Sequence, residues 1–137
     1  MRRAPSLRLS VLLGALALAG ACTEEAPVGE AVEVPSGREV SLIDIVTNAP
    51  GPAGATARFR FLAPGLSGDE AETAAVDMQA LCDGFAIKRI DGMVPAPQQI
   101  VISFASETVP FGEAAPDVVQ FFESYRPANG ACVWEVF

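Results

Sequence analysis

The chain has 137 residues, three cysteines, no histidine and a formal charge of −8. That length allows one domain with a modest core. The missing imidazole excludes Ser-His-Asp and Cys-His catalysis, histidine metal sites and the usual switch near pH 6, and the acidic balance sets the chain against nucleic acid and anionic headgroups.

Residues 1–22, MRRAPSLRLSVLLGALALAGAC, carry the three parts of an export signal. Arg2, Arg3 and Arg8 make a basic start, Leu9 to Ala21 an apolar run too short for a comfortable membrane span, and small residues lead to Cys22. Two processing routes are open. Ala19 and Ala21 form an A-x-A site for ordinary secretion. Leu18-Ala19-Gly20-Ala21-Cys22 resembles the lipobox of bacterial lipoproteins, with Ala19 where Leu, Val or Ile is usual. Both routes cut ahead of Cys22. Lipidation is the favoured one, because it removes a thiol that an oxidising space would attack. Thr23 differs from the Asp that signals inner-membrane retention in lipoproteins, which implies the outer membrane, facing the periplasm. Attachment would be by acyl chains alone, at about 0.8 kcal/mol per buried CH₂.

The expected organisation is a signal peptide over 1–21, a flexible acidic tether over 22–31 and one domain over 32–137. Removing residues 1–21 leaves 116 residues with a charge of −11. Such a surface suits solubility, a cationic partner or a cation.

The domain opens with a short strand at Val32-Glu33-Val34 and a turn at Pro35-Ser36-Gly37. VSLIDIVT, residues 40–47, is β-branched and apolar on both faces, with Asp44 the odd member. After turn material over 48–54, TARFRFL alternates: Phe59 and Phe61 on one face, Arg58 and Arg60 on the other. The two strands form a hairpin. Arg58 and Arg60 either pair with neighbouring carboxylates or make a small positive patch for an anionic group.

Asp69 and Glu72 predict a capped helix start, and Ala71, Ala75, Met78 and Cys82 its inward stripe, with Asp83-Gly84 as its end. FAIKRI, residues 85–90, fits either a strand or a bend. QQIVISFA, residues 98–105, predicts the central strand, and ETVPFGE, 107–113, a loop beyond it. Pro116 and Asp117 fit the first turn of a second helix, with Val118, Phe121, Phe122 and Tyr125 as its stripe. ACVWEVF closes the chain as a last strand. The expected fold is α+β: a mixed or mostly antiparallel sheet of about five strands with two helices on one side.

With Cys22 taken by processing, Cys82 and Cys132 remain. In an exported protein they read as one disulfide, the alternative being a buried unpaired pair. The loop of about 50 residues would contribute roughly 4 kcal/mol. There is no CxxC, phosphate-binding glycine loop, EF-hand pattern, HExxH or GxSxG.

DMQALC (77–82), QIVISFASETVPFGEAAPDVVQFFESYR (99–126) and GACVWEVF (130–137) resemble a family of small exported or lipid-anchored alphaproteobacterial proteins of unknown function. The resemblance covers residues 34–137. It implies the same domain limits and supports pairing of Cys82 with Cys132, but brings no chemistry and no cofactor.

Three functions remain to be weighed. The first is a non-enzymatic, lipid-tethered domain that binds an envelope protein or component, with Phe111 as a contact in its loop. The second is a small-ligand or cation site, with Asp77, Glu107, Glu123 and Glu135 as oxygen donors and Arg58 and Arg60 as anion contacts; a hard cation needs several oxygens at about 2.0–2.6 Å. The third is a cell-wall hydrolase using Glu107 and Glu135, which requires carboxyl groups about 5–10 Å apart in a groove.

Overall fold

The computed structural model describes residues 29–136. The leader, Cys22 and most of the tether lie outside the described residues.

Alternation within TARFRFL sets the plan of the molecule. Thr56–Leu62 is a strand, β3, whose Phe59 and Phe61 are fully buried while Arg58 and Arg60 point to the opposite face. It pairs antiparallel with β2, Val40–Val46, as the hairpin reading expects. β2 pairs in turn with a two-residue β1, Ala31–Val32. Residues 29–31, assigned by composition to the tether, already run along β2, where the Leu42 N–H donates to the Glu30 carbonyl at 2.9 Å. Gly29 has to be glycine there, because a Cβ would stand 1.3 Å from the Leu42 carbonyl oxygen.

From β3 the chain crosses over a helix and returns as β4, Gln99–Ala105, parallel to β3. The crossover begins at Ala71. Glu70, rather than Asp69, precedes the first turn, and no side chain caps it. Two residues earlier Ser67 and Glu70 form half of that pattern: Glu70 Oε2 accepts from the Ser67 N–H at 2.8 Å, while the Glu70 N–H donates to the Ser67 backbone carbonyl at 3.2 Å.

The helix α1, Ala71–Leu81, does not stop at Asp83-Gly84. It widens into a π-type turn, Cys82–Ala86, and closes with one further helical turn, Ile87–Arg89. The segment that fitted a strand or a bend is therefore helical. Burial decides it: the wide turn directs Phe85 and Ala86 into the core. There the Phe85 ring meets Phe59 and Phe61 edge-on, at 6.2 and 5.6 Å between centroids.

The expected second helix is overturned. Pro116 and Asp117 lie in a loop, and Gln120–Ala128 is a nine-residue strand, β5. Phe121, Phe122 and Tyr125 fit helical spacing, but Phe121 and Tyr125 also share one face of a strand, with Phe122 on the other. Phe121, Glu123 and Tyr125 stand opposite Phe104, Ile102 and Ile100 of β4, while Phe122 and Ser124 stand opposite Ser103 and Val101. β4 is buried along nearly its whole length, so the backbone N–H and C=O groups on both its edges need partners, and β5 supplies the second set. Pro127 lies beyond the stretch paired with β4, so its missing N–H leaves that ladder intact. β6, Ala131–Glu135, completes a six-stranded sheet in order β1-β2-β3-β4-β5-β6, antiparallel except at β3–β4.

One helical segment thus covers one face of the sheet. Between them lie Phe59, Phe61, Met78, Leu81, Phe85, Ile100, Ile102, Phe104 and Tyr125. Cys82 and Cys132 are joined, fifty residues apart with Cα atoms at 6.0 Å, tying the helix to β6. Asp83 and Gln79 reinforce that tie. The Cys132 N–H donates to Asp83 Oδ1 at 2.9 Å, and Gln79 Nε2 donates to the Cys132 carbonyl at 3.1 Å. Two helix side chains thereby satisfy backbone groups of an edge strand, which protects that stretch from pairing with another chain.

Candidate functional site

The uncovered face of the sheet is the first place to look. Among the described residues no helix crosses it; two loops lap its margins instead. Arg58 Nη1 donates to the Ala49 carbonyl in the loop after β2. Arg60 Nη1 donates to Asp44 Oδ2 at 2.7 Å and its Nη2 to the Val109 carbonyl in the loop after β4. Both guanidinium groups lie 5.7 Å from the centroid of the Phe111 ring. The arginines are therefore clamps: they hold both loops against the sheet and stack beneath an aromatic lid. Asp44, the odd acid of β2, is the partner that Arg60 needs.

Phe111 is 47% exposed and Phe122, on the same face, 52%. Beside the loop after β2 lies an apolar cavity of about 510 Å³ lined by Pro52, Ala53, Arg58, Val101, Phe122 and Val136, among others. The apolar surface continues at the edge through Val133. Two exposed phenylalanines on one face are the ordinary composition of a contact surface.

The remaining candidates are scattered. Asp77 is fully buried and accepts from the Ser36 N–H at 2.9 Å and the Ser36 hydroxyl at 2.5 Å, with Arg38 Nε at 3.6 Å. It fastens the β1–β2 turn to the helix. Glu107 is exposed and makes no hydrogen bond among the described residues. Glu135 pairs with Arg126 at 3.0 Å, both partly exposed, an ion pair worth under about 1 kcal/mol. Glu135 stands opposite Ser124, itself opposite Val101, whereas Glu107 lies six residues further along the chain from Val101. At about 3.3 Å per residue the two carboxyls are on the order of 20 Å apart along the sheet. No group of three or more His, Cys, Asp or Glu side chains able to hold a metal occurs among the described residues.

Glu123 lies on the helix face, in a second concavity that residue patterns did not reveal. Here α1 stands over β5 and β6, and Ala75, Val76, Gln79, Glu123, Tyr125 and Trp134 line an open depression of about 440 Å³. Trp134 Nε1 donates to Glu123 Oε2 at 2.5 Å while the indole remains 55% exposed. Tyr125 is wholly buried, and its hydroxyl has no partner among the described residues. Burial, and then the negative charges of Glu123 and Asp83, push the phenol well above its ordinary pKa, so it stays protonated. The alternation of β5 and β6 was the signal for this site, since opposite register brings Tyr125 against Trp134. Reading β5 as a helix concealed it.

Fold and surface together define a small α+β domain, a single sheet covered on one face by a helix, with aromatic side chains exposed on its surface. The chain belongs to a family of unknown function, DUF6497, whose model matches residues 14–137. No curated protein and no solved structure is significantly similar to it.

Proposed function

We propose that this chain is an exported, non-enzymatic binding domain, anchored through lipidated Cys22 to the periplasmic side of the outer membrane, which docks an envelope protein on the uncovered face of its sheet. The observation that supports docking is the pair of exposed rings, Phe111 and Phe122, on a face that no described helix covers. Buried aromatic anchors dominate binding energy in protein interfaces. The clamped loops give the surface a fixed shape, so little conformational entropy is lost when a partner settles on it. Arg58, Arg60 and Arg126 stand among the apolar groups, and arginine beside aromatics is the composition of an interface core. The anchor is supported by the leader pattern ending at Cys22, and no described helix is long and apolar enough to cross a membrane.

Site-specific photo-crosslinking in intact cells tests the docking surface. A photoreactive residue at Phe122 should give one discrete protein adduct, absent when the same residue is placed at exposed Lys88 on the helix, and Phe111→Ser should weaken it. Equal labelling from both positions overturns the docking face. Cell fractionation tests the anchor: Cys22→Ala should release the chain from the membrane fraction, and an uncleaved cytosolic chain overturns export.

A further inference from the structure

The helix-side cleft has a chemistry of its own, independent of the docking face. We infer that it is a binding site for a primary alkylammonium group, held between the Glu123 carboxylate, the Trp134 indole and the Tyr125 phenol oxygen, with the alkyl stem along Val76.

The lining selects this ligand class step by step. Among the described residues Glu123 is the only charged side chain lining the cleft, which rejects anions and attracts cations. Asp83, on the neighbouring helical turn, adds a second negative charge felt at Tyr125. Trp134 has the aromatic face best suited to a cation. It is held by its bond to Glu123 yet remains more than half exposed, so it forms a positioned wall rather than core filling. Val76 is 60% exposed on the facing helix and offers an apolar strip with no partner among the described residues.

The Tyr125 oxygen is the decisive feature. A buried hydroxyl without a hydrogen bond is destabilising, and native proteins seldom retain one. This one belongs to a residue lining the cleft, with the oxygen itself closed to water, so binding has to part the lining side chains over it; a phenol that stays protonated still accepts through its lone pairs. An ammonium group has three donors and no acceptor. Two of them suit the carboxylate and the phenol oxygen, and the third can remain toward solvent at the open mouth. A quaternary ammonium offers no donor to either oxygen. A hard metal cation would need more oxygens than the cleft supplies.

Trp134 is the only tryptophan in the chain, so its fluorescence reports the site directly. The purified chain is titrated with n-butylammonium, with neutral 1-pentanol of similar shape, and with Nα-acetyl-lysine-N-methylamide, all at constant ionic strength. Butylammonium should shift the emission saturably and bind about tenfold more tightly than pentanol, the worth of one charge-assisted contact. Saturation by the lysine derivative as well assigns the site to a lysine side chain of a partner; its exclusion assigns the site to free amines.

Glu123→Gln keeps an acceptor for Trp134 but removes the charge, and should weaken butylammonium about tenfold. Tyr125→Phe keeps the buried ring and deletes only the unpartnered oxygen. It should melt no lower than the parent chain while losing several-fold in affinity. Absence of a saturable shift, equal affinity for pentanol, or undiminished binding in both variants overturns the inference. Since the cleft and the docking face lie on opposite sides of the sheet, either can fail without the other.

Discussion

Asp77 separates a structural reading of a buried carboxylate from a ligand-binding one. It is fully buried and accepts two hydrogen bonds from Ser36, 41 residues away, with Arg38 Nε at 3.6 Å. Replacing it with alanine removes both bonds, leaves the Ser36 N–H and hydroxyl short of an acceptor, and takes from Arg38 one of its two acidic neighbours. Hydrogen bonds to a charged acceptor contribute about 1.5–3 kcal/mol each, and some of the loss is recovered because Ser36 is exposed and reaches water. Asp77→Ala should therefore cost about 3 kcal/mol, a large share of the 5–15 kcal/mol typical of a domain. For a domain of this size each kcal/mol moves the melting temperature by about 4 °C, so a fall of about 12 °C is expected. Asp77→Asn, which keeps one acceptor oxygen, should cost about half as much. Urea unfolding followed by Trp134 emission measures both. A carboxylate held in place for a ligand stores strain, and its removal leaves stability unchanged or raised; either outcome for Asp77→Ala would refute the structural role.

Reducing the disulfide, or making the Cys82→Ser and Cys132→Ser double variant, should cost about 4 kcal/mol, and hydrogen exchange should accelerate first in Ala131–Glu135, which the bond ties to the helix. Phe61→Ala, at a fully buried ring, should cost about 3–5 kcal/mol by urea unfolding, whereas Phe122→Ala, half exposed, should stay within about 1 kcal/mol. Hydrogen bonds from Ser67 hold Asp69 and Glu70 below their ordinary pKa values, with Arg38 assisting at Glu70. Depressed carboxylates stabilise above their unfolded pKa values and lose that contribution as pH falls through the folded ones. The start of α1 should thus loosen below about pH 4, measurable as pH-dependent exchange near Ala71, and unchanged protection there at low pH would refute the linkage.

Much of the plan was legible locally. Strict alternation in TARFRFL separated the buried phenylalanines from the arginines of the other face, because successive side chains on a strand point oppositely. The unbroken apolar run of QIVISFA marked the central strand, which lies between β3 and β5. Of the expected stripe of α1, Met78 and Cys82 reach the core, but Ala75 is only half-buried and Ala71 exposed, and the flanking Ala74 and Leu81 complete the buried side. With Cys22 set aside as the expected processing site, cysteine parity pointed to Cys82 and Cys132, which are joined.

Tertiary structure decided what local pattern left open. Phe121 and Tyr125, four residues apart, satisfy a period of 3.6 and a period of 2 alike, and only the open edge of β4, which requires hydrogen-bonded partners, selects the strand. FAIKRI became helical because Phe85 is buried against rings contributed by β3, a contact across more than twenty residues that no local window contains. The cleft at Glu123, Tyr125 and Trp134 depends on the same pairing, as does the stacking of Phe111 on two arginines about fifty residues earlier. Periodicity along a chain tells which way a side chain faces; it does not tell what it meets there, since that is set by which strands lie side by side and in what register.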